Sequence, residues 1–90
     1  MLEYRVEISD HAIKSLKKLP KPLVARLLQA AKALKDDPRP TGCKKLKGFE
    51  DLYRIRVGDW RIIYTIQDNV LLVLIISIKS RGEIYKELQN

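Results

Sequence analysis

Residues 52–64, Leu-Tyr-Arg-Ile-Arg-Val-Gly-Asp-Trp-Arg-Ile-Ile-Tyr, contain the pattern that decides the fold. β-Branched and aromatic residues dominate both halves, which predicts strands over 52–57 and 60–67. The Gly58-Asp59 pair between them suits a two-residue type II′ turn, which fixes the register of a hairpin. The expected cross-strand pairs are Val57 with Trp60, Arg56 with Arg61, Ile55 with Ile62 and Arg54 with Ile63.

This register separates an apolar face from a basic face, because successive side chains of a strand point to opposite sides of the sheet. The basic face holds Arg54, Arg56 and Arg61. Like charges directly opposite each other are destabilising, by about 0.2–1 kcal/mol per pair, and a local rule broken without structural gain indicates function. Arginine donates paired hydrogen bonds that match phosphate, so a phosphodiester site is expected. The alternative is a solvated face whose charges are neutralised by carboxylates. The candidates are Glu50, Asp51, Asp59 and Glu83.

The N-terminal third predicts a strand followed by a helical hairpin. Residues 4–8 alternate apolar and charged side chains, and Ser9 or Asp10 can cap the helix that follows. Pro20-Lys21-Pro22 ends that helix, and Pro22 suits the first turn of a second one. The apolar faces of the two helices contain Ile13, Leu16 and Leu19 in the first, and Val24, Leu27, Leu28, Ala31 and Leu34 in the second.

The C-terminal half predicts a basic loop, a further strand and a short helix. Residues 36–48 have the composition of a loop, and a second tight turn at Asp68-Asn69 leads into a central strand over 70–78. This register sets Arg61 opposite Ile76 and brings Lys79 and Arg81 near the same end. Residues 80–83 resemble a capping box at the start of a C-terminal helix.

We therefore expect a single α+β domain over residues 1–90. A small antiparallel β-sheet, in the order β-α-α-β-β-β-α, packs on the N-terminal helical hairpin, and a short helix ends the chain.

The composition limits the classes of binding partner and the cellular compartment that can be expected. Eighteen Lys and Arg against eleven Asp and Glu give a net charge of +7, which points to nucleic acid, an acidic protein or a membrane surface. Cys43 and His11 are the one cysteine and the one histidine, so neither a disulfide framework nor a Cys/His zinc site is expected. We expect no metal or other cofactor. The longest apolar run, 70–76, is too short to span a bilayer, and no signal-peptide pattern opens the chain, so the cytoplasm is the expected location.

Four segments together resemble the RelE branch of the RelE/ParE toxin superfamily. They are Lys45-Leu46-Lys47-Gly48, residues 52–57, residues 60–64 and residues 78–85. The resemblance implies a small antiparallel sheet against a helical hairpin. It also implies a toxin of a type II toxin–antitoxin system, a ribosome-dependent endoribonuclease that cleaves mRNA in the ribosomal A site and inhibits translation. In that family the ribose 2′-hydroxyl attacks the adjacent phosphate, and a RelB-like antitoxin sequesters the toxin.

The resemblance also assigns site residues. Arg61 matches the phosphate-binding arginine, Arg81 and Tyr85 match a C-terminal arginine–tyrosine pair, and Arg54 and Arg56 stand where some relatives have lysines. Arginine does not give up its proton at neutral pH, so these two positions are expected to stabilise charge. The base is then Tyr85, Glu83 or a group of the ribosome. The candidate RNA-binding residues are Lys44, Lys45, Lys47 and Lys79.

Two other functions fit the same scaffold, since fold alone does not decide function. One is a ParE-like inhibitor of DNA gyrase without nuclease activity. The other is an inactive module that only binds an antitoxin, which the absence of a histidine or lysine base keeps open. Arg61, Arg81 and Tyr85 favour the nuclease, whereas His11 and Cys43 are expected to be bystanders.

Overall fold

The computed structural model describes residues 3–46 and 51–82, and the statements below concern these residues. The chain forms two helices and five strands. A 3₁₀ turn at Asp68–Val70 joins the last two strands. The elements are β1 (Arg5–Ile8), α1 (Asp10–Lys17), α2 (Lys21–Ala33), β2 (Lys44–Lys45), β3 (Leu52–Val57), β4 (Trp60–Gln67) and β5 (Leu72–Ser80). The α+β class is thus confirmed, whereas the C-terminal helix falls on residues 83–90, outside the described part.

The sheet is mixed, not antiparallel as the sequence suggested. Its strand order is β1-β5-β4-β3-β2, and β1 runs parallel to β5 while the other neighbours are antiparallel. A parallel pair needs a crossover connection, which the helical hairpin and the three intervening strands provide. Alternation of apolar and polar residues reports burial and not direction, so the sequence pattern of β1 carried no sign of this pairing.

The β3–β4 hairpin has the predicted register. All four expected pairs are present, and two further pairs extend the ladder to Leu52 and Thr65. Gly58 has φ +60°, whereas Asp59 does not have a positive φ. A type II′ turn requires this combination at its two central positions. The prediction succeeded because a two-residue loop leaves no freedom in the pairing.

The β4–β5 register differs from the prediction. Arg61 lies opposite Lys79 and not opposite Ile76. The connection is longer than a two-residue turn, since the 3₁₀ segment is followed by Leu71 in a left-handed conformation (φ 51°). The ladder also shifts between Ile63 and Tyr64, leaving Ile76 as the extra residue of a β-bulge.

The predicted loop over 36–48 contains a short strand. Lys44 and Lys45 of β2 pair with Arg54 and Tyr53 of β3, which makes β2 an edge strand of two residues. The run of lysines hid this strand, because lysine has a low strand propensity.

The two predicted helices are present and both pack on one face of the sheet, as expected for the helical hairpin. The Ser9 side chain accepts a hydrogen bond from the Ala12 N–H (3.1 Å) and donates one to the Ile76 carbonyl (2.8 Å), so the helix cap is tied directly to β5. The buried core joins the helices to the sheet through Ala12, Leu16, Leu27, Ala31, Leu34, Ile55, Ile62, Tyr64, Ile66, Val73, Ile75 and Ile78.

Tyr64 fastens the loop between α2 and β2 to the sheet. Its side chain is fully buried, its hydroxyl donates to the Pro38 carbonyl (2.8 Å) and it lies 3.3 Å from the Cys43 sulfur. Its ring stacks on Tyr53 with 5.9 Å between centroids. Burial raises the pKa of Tyr64 far above its ordinary value, so the phenol keeps the proton that it donates.

A surface network holds the outer side of the same loop. Arg39 forms an ion pair with Asp68 (2.9 Å) and lies over the Tyr53 ring, while the Tyr4 hydroxyl donates to Asp68 (2.5 Å). Hydrogen bonds from Arg39, and then from Tyr4, hold the pKa of Asp68 below its ordinary range. The loop is therefore held from the core side and from the surface.

Removing one hydroxyl from each of two neighbouring residues should have different effects on stability. Tyr64→Phe leaves the Pro38 carbonyl without its donor and should lower the free energy of unfolding by about 1–3 kcal/mol. Thr65 Oγ1 is buried and has no hydrogen-bond partner, so Thr65→Val should be neutral or stabilising. Urea unfolding of both variants measures this, and a Thr65→Val change as destabilising as Tyr64→Phe would contradict the assignment.

The Asp68 network should make stability depend on pH. A carboxylate whose pKa is depressed in the folded state stabilises the protein above its unfolded pKa, and this contribution is lost as pH falls toward the folded pKa. Asp68→Asn should therefore be less stable than the wild type at pH 7, and the difference should shrink below about pH 4. Thermal unfolding at a series of pH values checks this, and a difference that stays constant down to pH 2 would disprove it.

Candidate nucleic-acid interface

A row of three cations crosses the centre of the sheet. Arg56 of β3 lies opposite Arg61 of β4, and Arg61 lies opposite Lys79 of β5. Directly opposed residues point to the same face, which here is the face away from the helices. Arg61 and Lys79 are only 7% and 8% exposed. The revised β4–β5 register is thus what brings Lys79 into the row.

Two further cations extend this face toward the edge of the sheet. Arg54 lies two residues before Arg56 and so shares its face, and Lys44 of β2 lies opposite Arg54. Beside them, Leu46 and Ile63 form a small apolar cluster with Leu52. The face therefore combines a positively charged region with a short apolar border.

These side chains line an open cleft of about 290 Å³. We refer to it as the cationic cleft; its lining residues are Gly42, Lys44, Arg54, Arg56 and Arg61. No carboxylate of the described residues is among them. Within residues 3–46 and 51–82 the ion pairs are Arg5–Glu7 and Arg39–Asp68, so neither Asp51 nor Asp59 neutralises Arg54 or Arg56. The arrangement suits a bound anion.

The hairpin turn orients two of the arginines. The Gly58 carbonyl accepts hydrogen bonds from Arg56 Nε (3.1 Å) and Arg61 Nη1 (3.2 Å), and Arg61 Nη1 also donates to the Trp60 carbonyl (3.1 Å). A guanidinium group has five N–H donors, so the single bond from Arg56 leaves most of that group's donors for a ligand. The turn thus holds both guanidinium groups in place in the absence of a ligand.

Arg26 is a cation that sequence reasoning missed. A Cβ placed on Gly58 would lie 3.6 Å from Arg26 Nη2, which puts this α2 side chain at the hairpin turn. The chain separation between Arg26 and the hairpin gave no hint of this proximity. Only the packing of α2 along β3 reveals it.

The other predicted site residues do not line the cationic cleft or fall outside the described residues. The Arg81 N–H donates to the Asp59 carbonyl (2.9 Å), so Arg81 lies beside the hairpin turn with an exposed side chain. Lys45 is exposed and lies opposite Tyr53, which places it on the helix-side face and not in the cationic cleft. Lys47, Glu83 and Tyr85 fall outside the described residues.

The remaining polar residues form no second centre in the described chain. Cys43 is half-buried and its sulfur lies 3.3 Å from the Tyr64 hydroxyl, while His11 is exposed near the start of α1. Across residues 3–46 and 51–82, no three His, Cys, Asp or Glu side chains cluster as metal ligands would. None of the described helices has the length and hydrophobicity to cross a bilayer.

Comparison with known proteins connects this geometry to one family. The sequence model of the family described as "ParE toxin of type II toxin-antitoxin system, parDE" matches residues 6–85. A protein of Methanocaldococcus jannaschii named as toxin RelE1 is 31% identical over 88 residues, which cover 94% of this chain and 98% of that protein.

Solved structures of RelE-containing complexes are similar to this chain in both fold and sequence. The archaeal RelE–RelB complex from Pyrococcus horikoshii contains a chain with 36% identity and a TM-score of 0.79, with 90% of this chain and 98% of that chain covered. The RelBE2 toxin–antitoxin complex from Mycobacterium tuberculosis gives 28% identity and a TM-score of 0.79, covering 91% and 95%. The chain therefore belongs to the RelE/ParE superfamily of type II toxin–antitoxin toxins, in its RelE branch.

Proposed function

We propose that this toxin is a ribosome-dependent endoribonuclease that cleaves mRNA in the ribosomal A site. The observation that carries the proposal is the cationic cleft, where the side chains of Lys44, Arg54, Arg56 and Arg61 converge. A cleft of this composition matches the phosphodiester backbone, and membership of the RelE branch supports mRNA as the substrate.

The cleft suits an intramolecular transesterification. The ribose 2′-oxygen attacks the adjacent phosphorus, its proton passes to a base, and the bond to the 5′-oxygen breaks as that oxygen takes up a proton. The products are a 2′,3′-cyclic phosphate and a 5′-hydroxyl. Negative charge grows on the non-bridging oxygens at the transition state, and fixed guanidinium groups stabilise it without reorganising. Arg61, held by the hairpin turn and flanked by Arg56 and Lys79, is the central phosphate ligand in this proposal.

Arg54 and Arg56 act as charge stabilisers and not as bases. A lysine with a depressed pKa can accept a proton at neutral pH, but an arginine cannot. The proton of the 2′-hydroxyl is therefore assigned to Tyr85, with Glu83 or a ribosomal group as alternatives. A phenol near pKa 10 needs neighbouring positive charge to act as a base, which Arg61 and Arg81 are proposed to supply.

The remaining lysines serve RNA binding. Lys44 lines the cationic cleft and Lys79 ends the row formed with Arg56 and Arg61, while Lys45 and Lys47 are further cations close to Lys44 in the sequence. Such contacts contribute affinity that does not depend on sequence and that weakens as salt rises. The ribosome and its mRNA, in the cytoplasm, are the proposed partners.

An antitoxin is the other proposed partner. Two of the structural relatives were solved as RelE–RelB or RelBE2 complexes. A net charge of +7 favours a RelB-like chain that carries complementary acidic residues, since opposite charge raises the rate and specificity of association. In this role the antitoxin blocks access of the toxin to the ribosome.

A gyrase inhibitor is the second candidate function, because the matching family description names a ParE toxin. Two assays on the same preparation separate the candidates: mRNA cleavage on translating ribosomes and inhibition of gyrase supercoiling. The nuclease proposal expects cleavage and no effect on gyrase. Gyrase inhibition without cleavage would favour the ParE-like function, and inactivity in both assays would favour a module that only binds an antitoxin.

Loss of a single site arginine should impair cleavage strongly. Arg61→Ala and Arg81→Ala should each reduce the single-turnover rate by about 10²–10³-fold, the scale for removing one transition-state charge contact. Lys14→Ala, which removes an exposed cation from α1, is the matched control and should cleave at the wild-type rate. Thermal unfolding verifies that each variant is folded, and wild-type rates in folded Arg61→Ala and Arg81→Ala would refute the site.

Proton transfer can be tested at Tyr85 and Glu83. Tyr85→Phe should slow single-turnover cleavage by roughly 10²–10⁴-fold, the scale of general acid–base catalysis, with much less effect on ribosome binding. Glu83→Gln should have a smaller effect, because Glu83 is the expected capping partner of Ser80. If Glu83→Gln abolishes cleavage while Tyr85→Phe does not, Glu83 is the base.

A further inference from the structure

A second groove lies along β3 on its helix side. It has a volume of about 270 Å³, near the lower end of the roughly 300–1,000 Å³ typical of small-molecule sites. We call it the alanine groove. Its lining residues are Ala30, Ala33, Pro40, Thr41, Gly42, Ile55 and Arg56.

The alanine groove adjoins the cationic cleft. Gly42 and Arg56 line both of them. The strand β2 pairs only with Tyr53 and Arg54, so from Ile55 onward no strand of the described chain covers this edge of β3. A ligand that reaches around this edge contacts both spaces at once.

The walls of the alanine groove are apolar and one end is charged. Two alanines, a proline ring and a buried isoleucine form the walls, and the Thr41 hydroxyl supplies a polar atom. Arg26 lies on the same face of α2 as Ala30 and Ala33, at spacings of four and seven residues. Arg26 extends to the hairpin turn, where Arg56 also donates to the Gly58 carbonyl, so two cations lie near the end of the groove that Arg56 lines.

This combination selects an amphipathic anion with a flat apolar part. A nucleotide meets the requirement, since its base presents an apolar face with polar edges and its phosphate carries the charge. An extended peptide strand is a poorer fit, because it needs a groove several residues long and this one ends at the Pro40–Gly42 loop.

We propose that the alanine groove binds the nucleobase of a nucleotide whose phosphate occupies the cationic cleft. The inference rests on the proposed ribonuclease function and adds a base-binding subsite to it. Ala33 is exposed at the end of α2, so its methyl group sets the depth of the subsite without supporting the core. The subsite contributes affinity for a nucleotide over the bare sugar phosphate.

The test compares two ligands of equal charge on the full-length chain in the absence of ribosomes. NMR titration measures the dissociation constants of adenosine 5′-monophosphate and ribose 5-phosphate. Adenosine 5′-monophosphate should bind about tenfold more tightly, the scale of burying one face of a ring. Ala33→Leu fills the groove and should remove this difference while leaving ribose 5-phosphate binding unchanged. Ala25→Leu, the same change at an exposed position of α2 outside the groove, should preserve it.

The outcomes separate the subsite from the proposed function. Equal binding of the two ligands to the wild type, or a tenfold difference that survives Ala33→Leu, overturns the subsite and leaves the nuclease proposal standing. Failure of ribose 5-phosphate to bind counts against both. A hexaglutamate peptide provides the remaining comparison, because stronger shifts of the Ala30 and Ala33 methyl signals by this peptide than by adenosine 5′-monophosphate would make the groove a protein-binding site and overturn the proposal.

Discussion

The hydrogen bond from Tyr64 to the Pro38 carbonyl is the constraint on which the geometry of the cationic cleft depends. It joins the most buried strand of the sheet to a loop that has little regular structure of its own. That loop supplies Gly42 to both the cationic cleft and the alanine groove, and it leads directly into Lys44. A loop free to move would leave one wall of each space undefined, so precise placement of the cations begins in the core.

The sheet holds its positive charges together against their mutual repulsion. Arg56, Arg61 and Lys79 occupy one row, and two of the three are almost completely buried. Burial keeps water from screening the field that these groups produce, which strengthens their action on an anion. Extensive packing between the helices and the sheet offsets the electrostatic cost. The cationic face of the sheet is thus stabilised by the apolar face that packs on the helices.

Sequence reasoning was most accurate where geometry is local. The two-residue turn at Gly58 determined the β3–β4 register and therefore the shared face of Arg54, Arg56 and Arg61. It was less accurate where distant segments meet, because the direction of β1 depends on a crossover and the contact of Arg26 with the turn depends on helix packing. The position of Lys79 was predicted only in part. Lys79 was expected near Arg61, but the longer turn before β5 and the bulge at Ile76 each shifted the β4–β5 register.

The bulge at Ile76 has a consequence for the tolerance of β5 to changes in length. Inward-facing residues fall on odd positions before it, at Val73 and Ile75, and on an even position after it, at Ile78. The bulge therefore shifts the alternation of side chains by one residue. This shift lets a single strand place apolar residues in the core and Lys79 in the row of cations. Deletion of Ile76 would restore a regular strand with both faces intact, whereas insertion of one residue between Ser77 and Lys79 would exchange the faces at its end and turn Lys79 toward the helices. Natural variation in the length of this strand should accordingly be found at the bulge and not beyond it.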